Sequence, residues 1–367
     1  MEAHRWSQLP DFPWDTLAPF VRRARDYPDG AIDLSVGTPV DPTPEVIVQA
    51  LQAHANAPGY PTTIGIPELG ESVLNWAQRV LHAPSNTGFL PTIGSKEMVA
   101  ALPYLLGFGP TDTIAIPEIA YPTYAVGVVA TGAHLIATDS PETIDGDVSM
   151  VWLNSPSNPT GAVLDAQRVK EIIGWAQANN VIVVSDECYF ELGWDQTPTS
   201  ILDVGVNGGN LTGLLAIHSL SKRSNMAGYR FGFLAGDSDL TSRLLGIRKH
   251  LGMMVPTFVQ HAAVAAYNND HEILAQREKY RVRRTTLWSA FASAGFDIHH
   301  SAAGLYLWAT RGTDCWESVA DLAELGIVVT PGAFYGEKGA KFIRIALTAT
   351  DEDVSQATLR LQSKAGL

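Results

Sequence analysis

The feature that most restricts the fold is an alternation of short apolar segments and amphipathic helical patterns between residues 95 and 235. Segments rich in Val, Ile and Leu have the length of strands, and most are separated by segments with helical periodicity. The predicted strands span 113–116, 150–153, 181–185, 214–217 and 231–235, and the predicted helices span 95–106 and 165–178. Strands that are apolar throughout and alternate with helices form mostly parallel sheets covered on both faces. The sequence therefore predicts an α/β fold.

Polar side chains follow several of these strands directly. Asn158, Asp186, Tyr189 and Lys222 each come just after a predicted strand. In open α/β sheets, ligands bind at the carboxyl ends of the strands. We therefore expect these four residues to belong to one binding site.

Lys222 lies on the connection between the last two of these strands, among serines and eight residues before Arg230. A lysine in this setting can form a Schiff base with a carbonyl, because burial and nearby positive charge lower its pKa. The alternative is a solvated loop lysine beside a structural arginine, which for an arbitrary lysine is much commoner.

Further motifs weaken that alternative. Ser219-x-Ser221-Lys222 followed by Gly228-x-Arg230-x-Gly232 resembles the signature of class I/II pyridoxal-phosphate aminotransferases. Other motifs of that family follow in the family's order: Gly94-Ser95-Lys96-Glu97, Ala120-Tyr121-Pro122-Thr123-Tyr124, Asn158-Pro159-Thr160-Gly161, Asp186-Glu187-Cys188-Tyr189 and Phe342-Ile343-Arg344-Ile345-Ala346. Each motif alone is weak, but the ordered set spans nearly the whole chain.

The resemblance implies the pyridoxal-phosphate transferase fold of type I, with a large domain built on a mostly parallel seven-stranded sheet and a smaller α+β domain. We expect an N-terminal arm and part of the small domain in 1–35, the large cofactor-binding domain in 36–255 and the small C-terminal domain in 256–367. Trp6 and Trp14 make the arm too aromatic for a disordered tail. Strands predicted at 305–309, 327–330 and 342–347 belong to the small domain.

The resemblance also assigns residues to the cofactor, pyridoxal 5'-phosphate. Lys222 would be its covalent anchor and, once released, the base that moves the substrate's α-proton. Asp186 would pair with the pyridine nitrogen. Asn158 and Tyr189 would hydrogen-bond the phenolic oxygen of the ring. Tyr121 would stack on the ring face, although an aromatic at such a position is more often simply packed.

Phosphate needs hydrogen-bond donors in fixed positions. Gly94, Ser95 and Lys96 begin a predicted helix whose N-terminal amides favour an anion. Ser219 and Arg230 would complete the phosphate site. Ser95 could equally be a capping serine, and Lys96 could be simply solvated.

Tyr60 lies in a loop rich in Pro and Gly at 58–65. The resemblance implies that it reaches the cofactor phosphate of a neighbouring subunit, and an exposed loop tyrosine is an equally good account from sequence alone. Since Tyr60 and the aromatic arm around Trp14 have no obvious use within one subunit, we expect a homodimer.

Arg344 lies inside an apolar strand pattern, where an arginine without a partner is costly. The resemblance supplies that partner as the α-carboxylate of the substrate, bound bidentately. Gly37, in a Gly-Thr-Pro turn, and Asn158 would also lie near the substrate. A plain turn accounts for Gly37 as well.

Composition excludes other classes of function. A formal net charge of −13 argues against nucleic-acid binding, and the basic run at 277–284 is better explained as a solvated helix face. Cys188 and Cys315 cannot form a disulfide framework and lack the neighbours of a zinc site, so no metal is predicted. No apolar run has membrane-spanning or signal-peptide character, which leads us to expect no membrane partner and a cytoplasmic location.

The predicted function is ping-pong transamination between an amino acid and a 2-oxo acid. The local sequences at residues 9–15, 92–97 and 219–230 resemble those of actinobacterial N-succinyldiaminopimelate aminotransferases. That resemblance implies N-succinyl-LL-2,6-diaminopimelate with 2-oxoglutarate and glutamate, in the diaminopimelate route of lysine biosynthesis. Its distal carboxylates would need further cations, for which Arg22, Arg23 and Lys96 are the candidates.

Alternatives are a pyridoxal-phosphate C–S lyase of the cystathionine β-lyase type and an aminotransferase of other amino-acid specificity. A non-catalytic regulator on the same fold is disfavoured, because no DNA-binding module is recognisable in the sequence.

Replacement of Lys222 tests the central assignment. We predict that Lys222→Ala abolishes turnover but leaves the fold intact, because it removes both the covalent anchor and the base. Turnover and the visible absorbance of bound cofactor report the chemistry, and circular dichroism reports the fold. Normal turnover with an unchanged visible band would contradict the assignment.

Overall fold

The computed structural model describes Leu9 and residues 13–365, so Trp6 and most of the first twelve residues of the expected arm lie outside the described part. The strands are β1 (Ile32–Asp33), β2 (Gly88–Ile93), β3 (Thr113–Ile116), β4 (His134–Ala137), β5 (Met150–Asn154), β6 (Ile182–Asp186), β7 (Leu214–Ser219), β8 (Phe231–Gly236), β9 (Asp297–His299), β10 (Tyr306–Thr310), β11 (Ile327–Val328), β12 (Thr330–Pro331) and β13 (Phe342–Ala346). The helices are α1 (Ala18–Arg25), α2 (Glu45–Ala53), α3 (Pro67–Val80), α4 (Ser95–Leu105), α5 (Thr123–Thr131), α6 (Ala166–Ala178), α7 (Val204–Asn207), α8 (Leu220–Arg223), α9 (Ser238–Leu251), α10 (Thr257–Tyr267), α11 (Asp270–Ser293), α12 (Cys315–Glu324) and α13 (Asp351–Ala365).

The largest sheet has seven strands in the order β2-β8-β7-β6-β5-β3-β4. Strands β7, β6, β5, β3 and β4 pair in parallel, and β8 and β2 pair antiparallel at one side. This confirms the predicted α/β fold with a mostly parallel sheet. The carboxyl ends of β5, β6 and β7 consequently lie at one edge of the sheet. The polar residues identified in the sequence come at or just after these strand ends.

The strands of this sheet are apolar throughout because both faces are covered. On β5, Met150 and Trp152 pack into a core with α4, α5 and α9, whereas Val151 and Leu153 pack into another with α3, α6 and α10. Successive side chains on a strand point to opposite faces, so each core takes every second residue. A strand with only one buried face would have alternated polar and apolar residues instead.

A second, antiparallel sheet has the order β12-β13-β10-β9. Its apolar side chains pack with α11, α12 and α13, and the short parallel pair β1 and β11 lies beside them. Arg344 on β13 is paired with Trp308 on β10. The arginine predicted to bind a carboxylate therefore lies on a strand of the smaller α+β unit, not of the large sheet.

In the large sheet, sequence analysis missed β2 and β4, which are its two edges. The short strand β9 of the small sheet was missed as well. β2 contains Pro91, which pattern analysis treats as a strand breaker but which an edge strand tolerates. β4 is mostly exposed and therefore lacks the apolar run of the central strands. Residues 117–122 form a loop, and Thr123–Thr131 form helix α5, which sequence analysis did not predict.

Helix α10 lies just after the expected boundary between the large and small domains at residues 255/256. It packs against α2 and α3 and contributes Val259, Ala263 and Tyr267 to a core of the large sheet. The apolar face of α10 belongs to the core of the large sheet. The chain therefore leaves this core and enters the core of the small sheet after Tyr267. We therefore propose that the small domain begins near α11. None of the helices in the described part is both long and apolar enough to cross a membrane.

A buried ion pair holds the start of α4 against α9. The Arg248 side chain is fully buried and donates to both oxygens of Glu97, at 2.6 and 3.2 Å. The same carboxylate accepts a hydrogen bond of 3.2 Å from the backbone N–H of Ile93, which comes just before the helix. Glu97 therefore neutralises a buried guanidinium and anchors the turn from β2 into α4.

We predict that Glu97→Ala lowers the free energy of unfolding by about 3 to 5 kcal/mol, because it leaves the Arg248 charge buried without a partner. Glu278→Ala is the matched control, since the Glu278–Arg281 pair is exposed on both sides and its loss should leave stability essentially unchanged. Chemical denaturation measures both. Equal effects of the two changes would contradict the importance of burial.

Candidate active site

A cavity of about 800 Å³ opens where the carboxyl ends of β5, β6 and β7 face β10 and β13. Eleven residues singled out from the sequence line it: Gly37, Ser95, Lys96, Tyr121, Asn158, Asp186, Tyr189, Ser219, Lys222, Arg230 and Arg344. They come from strands of both sheets, from α4 and α8, and from the connecting loops. The structure therefore brings residues that are up to about 300 positions apart into one site.

Lys222 lies on the one-turn helix α8 between β7 and β8, and its Nζ donates to the carbonyl oxygen of Gly37. Burial lowers the pKa of the Lys222 ammonium, and the charges of Arg344 and Arg230 add to that effect. A lowered pKa increases the fraction of neutral amine near pH 7, which is the form that attacks a carbonyl.

Asp186 is the last residue of β6, and its carboxylate is held from two directions. Tyr124 donates its hydroxyl to Oδ2 at 2.9 Å, and the backbone N–H of Cys188 donates to Oδ1 at 3.2 Å. Burial raises the pKa of Asp186, and these two donors oppose the rise. In the described part of the chain, no basic side chain lies within ion-pair distance of Asp186. The carboxylate is thus oriented and buried but lacks a cation.

Arg344 is in the complementary situation, as a buried cation without an anion. Its guanidinium donates to Asn158 Oδ1 at 2.9 Å and to the carbonyl oxygen of Ser35 at 2.5 Å, both of which are neutral acceptors. The residue is only 3% exposed, its Nε has no acceptor, and no carboxylate among the described residues lies within ion-pair distance. The rings of Tyr306 and Tyr335 lie 4.0 and 5.2 Å from its central carbon.

Asn158 is itself fixed by Asn154, the last residue of β5. Asn154 Oδ1 accepts a 2.7 Å hydrogen bond from the backbone N–H of Asn158, and its amide donates to the backbone oxygen of Asp186 at 2.9 Å. One asparagine therefore sets the spacing between the loops that follow β5 and β6. Sequence analysis missed Asn154 although it directly follows the predicted strand 150–153, because it belongs to none of the motifs of the resemblance.

Sequence analysis also missed two tyrosines. Tyr124 belongs to the motif at 120–124, but its hydrogen bond to Asp186 could not be predicted because its helix was not recognised. Tyr306 lines the cavity, and its hydroxyl lies 3.1 Å from that of Tyr189. It begins a strand that the sequence pattern explains fully as core, so nothing in the sequence marked it.

Hydrogen-bond donors surround the N-terminus of α4. The residue before the helix is Gly94, which has a φ of 73° and provides no side-chain cap, so the first amides of α4 lack side-chain acceptors. A Cβ on Gly94 would lie 2.4 Å from Arg230 Nη2, and one on Gly232 would lie 3.0 Å from the backbone N of Ser95. The guanidinium thus lies directly against the helix start. Ser95 is the first helical residue and does not cap the helix.

The chain matches the model of the family described as aminotransferase class I and II over residues 29–361. It belongs to this family.

Individual relatives agree with this assignment. The chain is 50% identical over 356 residues to the 4-dedimethylamino-4-oxo-anhydrotetracycline transaminase OxyQ of Streptomyces rimosus, covering 96% of this chain and 99% of the relative. It is 31% identical over 381 residues to an LL-diaminopimelate aminotransferase of Dehalococcoides mccartyi, covering 97% of both chains. The solved structure of a probable N-succinyldiaminopimelate aminotransferase from Thermus thermophilus superimposes with a TM-score of 0.85 at 26% identity, covering 96% of this chain and 100% of that one.

Aminotransferases of class I and II depend on pyridoxal phosphate, and this aminotransferase carries a donor set that fits it. The amides at the start of α4 and the Arg230 guanidinium are a setting for phosphate. Asp186 offers a buried carboxylate without a cation, as a protonated ring nitrogen requires. The Lys222 amine opens into the same cavity.

Some expected residues of the aminotransferase lie elsewhere. Tyr60 is 96% exposed and does not line the cavity. Arg22 and Arg23 lie on α1 and do not line the cavity, and Arg23 pairs with Glu324. Lys96 is exposed but lies at the cavity wall.

The arm also has a use within one chain, contrary to expectation. Trp14 lines the cavity and packs against Phe334, with ring centroids 5.4 Å apart. Phe20 stacks on Trp316 with centroids 5.5 Å apart. The reason is that the small domain exposes aromatic surface beside the arm. The argument for a dimer from Trp14 is therefore wrong.

We predict that Tyr124→Phe weakens binding of pyridoxal phosphate roughly fivefold at neutral pH, the effect of losing one hydrogen bond of about 1 kcal/mol. Tyr124 stabilises the ionised carboxylate, so its loss raises the pKa of Asp186 further. A smaller fraction of Asp186 is then ionised, and the loss of affinity should grow as the pH falls.

Fluorescence titration of the apoenzyme with cofactor measures this affinity as a function of pH. Tyr104→Phe, at a tyrosine that is 67% exposed on α4, is the control and should bind cofactor normally. A loss of affinity that is independent of pH would argue against an effect through Asp186.

Proposed function

We propose that the aminotransferase takes an amino donor with an α-carboxylate, which Arg344 binds, and passes the amino group to a 2-oxo acid. The observation that carries this proposal is the buried Arg344 guanidinium, which lacks an anion and faces the cavity that holds Lys222. A carboxylate bound there would place the α-carbon near the lysine amine. A charge-assisted bidentate contact also offers the geometric specificity that an amino-acid substrate requires.

When bound, pyridoxal phosphate supplies an electron sink for charge that develops at the substrate's α-carbon. Lys222 is the proposed covalent anchor, and its lowered pKa suits it to hold and return the α-proton once the substrate has displaced it. Asp186 would keep the ring nitrogen protonated. Asn158 and Tyr189 would donate to the phenolic oxygen, and Tyr121 would lie against the ring.

The phosphate site would consist of Gly94, Ser95, Ser219 and Arg230. Ser219 Oγ donates to Ser221 Oγ at 2.9 Å, so both hydroxyls are already grouped at the end of β7. Arg230 has no carboxylate within ion-pair distance in the described part, which leaves its charge for the phosphate. Lys96 stands at the cavity wall, where its charge adds to that of the site.

For the substrate we propose N-succinyl-LL-2,6-diaminopimelate, with 2-oxoglutarate and glutamate as the other pair, in lysine biosynthesis. The names of the relatives from Dehalococcoides and Thermus support a diaminopimelate-type substrate. A cavity of about 800 Å³ has room for a long substrate beside the cofactor. Lys96 is the cation that could meet a distal carboxylate.

A second candidate is a bulky ring ketone as amino acceptor. It is favoured by the 50% identity to the transaminase named for an anhydrotetracycline. The cavity wall also contains Trp14, Val99, Ala100 and Val126, which are apolar. Such a wall suits a large apolar substrate better than a chain that ends in two carboxylates.

We also propose that the active unit is a homodimer. The remaining argument is Tyr60, which is 96% exposed on a loop and has the residue type that the resemblance places on a neighbour's phosphate. Sedimentation at assay concentration is the measurement, and a fully active monomer would remove this proposal.

A substrate panel tests the function. Purified enzyme with glutamate or 2-oxoglutarate as the common partner is offered N-succinyl-LL-2,6-diaminopimelate, LL-diaminopimelate, a polycyclic aromatic ketone and cystathionine. We expect the highest kcat/KM with the succinylated substrate. Preference for the ketone would establish the second candidate, and release of pyruvate from cystathionine without amino transfer would indicate a C–S lyase.

Substitution of Arg344 should affect every substrate that carries an α-carboxylate. We predict that Arg344→Ala lowers kcat/KM on the order of a hundredfold or more for glutamate and for the long substrate alike. Arg344→Lys should recover only a small part, because an ammonium cannot provide the planar fork.

Arg23→Ala, on the exposed face of α1, is the matched control and should keep both rates. Steady-state kinetics with both substrates decide the matter. A loss confined to one substrate would mean that Arg344 recognises a distal group instead of the α-carboxylate.

A further inference from the structure

A pair of buried tyrosine hydroxyls connects the two sheets at the cavity. Tyr189, which follows β6 of the large sheet, and Tyr306, at the start of β10 in the small one, are 7% and 4% exposed. Their oxygens lie 3.1 Å apart, and either one could be the donor. Their rings meet edge to face, with an interplanar angle of 74°. Both residues line the cavity.

Tyr306 also supports the carboxylate-binding arginine. The central carbon of the Arg344 guanidinium lies 4.0 Å from the centre of the Tyr306 ring, which is within cation–π distance. Arg344 is on β13, which pairs antiparallel with β10. The Tyr306 ring on the neighbouring strand therefore packs directly against the guanidinium.

The space for this hydroxyl depends on Gly37. A Cβ on Gly37 would lie 2.1 Å from the Tyr306 hydroxyl oxygen. The carbonyl oxygen of the same glycine accepts from the Lys222 amine. Tyr306 thus lies beside the backbone segment that contacts the lysine, and that backbone approaches closely because it carries no side chain.

The direction of the two O–H groups matters, because each tyrosine has one proton to donate. If Tyr189 donates to Tyr306, its proton is used within the pair. If Tyr306 donates, the Tyr189 proton is left for an acceptor in the cavity. No other hydrogen-bond partner of the Tyr306 hydroxyl lies within the described residues.

We propose that Tyr306 is a positioning residue with two functions: its hydroxyl donates to Tyr189 and so directs the Tyr189 O–H at the cofactor's phenolic oxygen, and its ring orients Arg344 for the substrate carboxylate. This inference rests on the proposed role of Tyr189. It links cofactor and carboxylate recognition through one side chain.

A pH titration of the visible absorption of the cofactor-bound enzyme tests the hydroxyl. A hydrogen bond donated to the phenolic oxygen stabilises the negative charge on that oxygen. When the donor is weakened, the Lys222 nitrogen that is bonded to the cofactor loses its proton at a higher pH. We expect the midpoint to rise by about 0.5 to 1 pH unit in Tyr306→Phe, the equivalent of one hydrogen bond. Tyr189→Phe should raise it at least as much, and the double variant no further.

Tyr335→Phe is the matched control. Tyr335 is also buried against Arg344, but the hydroxyl paired with Tyr189 is that of Tyr306 and not that of Tyr335. Its midpoint should stay at the wild-type pH. If Tyr335→Phe moved the midpoint as far as Tyr306→Phe, the effect would come from the surroundings of Arg344 and the inference would be overturned.

Kinetics test the ring. Tyr306→Leu should raise KM for glutamate about tenfold, whereas Tyr306→Phe, which keeps the ring, should leave KM near wild type. If Tyr306→Leu does not fold, the spectral comparison with Tyr306→Phe decides alone. No shift in Tyr189→Phe would sink the proposed role of Tyr189, whereas a shift in Tyr189→Phe without one in Tyr306→Phe would sink only the inference about Tyr306.

Discussion

The hydrogen bond between Arg344 and Asn158 is the contact on which the geometry of the site depends most. It joins the antiparallel sheet to the loop that follows a central strand of the parallel sheet, and it is buried on both sides. An unpaired guanidinium in this position would be strongly unfavourable, so the two sheets are held at the separation that lets Arg344 reach a neutral acceptor. That acceptor satisfies a hydrogen bond but leaves the charge uncompensated, which suits a site that must exchange anionic substrates. If Arg344 binds the substrate as proposed, structural support and substrate affinity come from different atoms of one guanidinium.

The central part of the fold could be predicted from the sequence, whereas its edges could not. Strands buried on both faces have continuous apolar runs, and their short length between helical patterns indicates strands. The edge strands lack such runs for separate reasons: Pro91 and Thr92 interrupt β2, and β4 is mostly exposed. Helix α5 was not predicted because it is short and almost uniformly apolar, so it shows no helical periodicity.

The site shows the same division. Lys222, Asp186 and Asn158 could be found because each follows a strand in a recognisable local order. Asn154 and Tyr306 could not, because their importance comes from contacts with residues distant in the sequence. Tyr60 marks a further limit, since an exposed loop residue acquires a role only through a partner that a single sequence does not describe. Local order identifies chemical groups, whereas the residues that orient them are found only by long-range packing.

The packing of the arm has an evolutionary consequence. Leu9, Pro13 and Trp14 form part of the cavity wall, but they come from a segment that takes no part in either sheet. Substitutions at these positions would change the cavity wall and leave the strands that precede Lys222 and Asp186 as they are. A lineage could therefore alter which substrates fit while keeping the same reaction. Exchange of Pro13 and Trp14 between relatives offers a direct route to enzymes with new preferences.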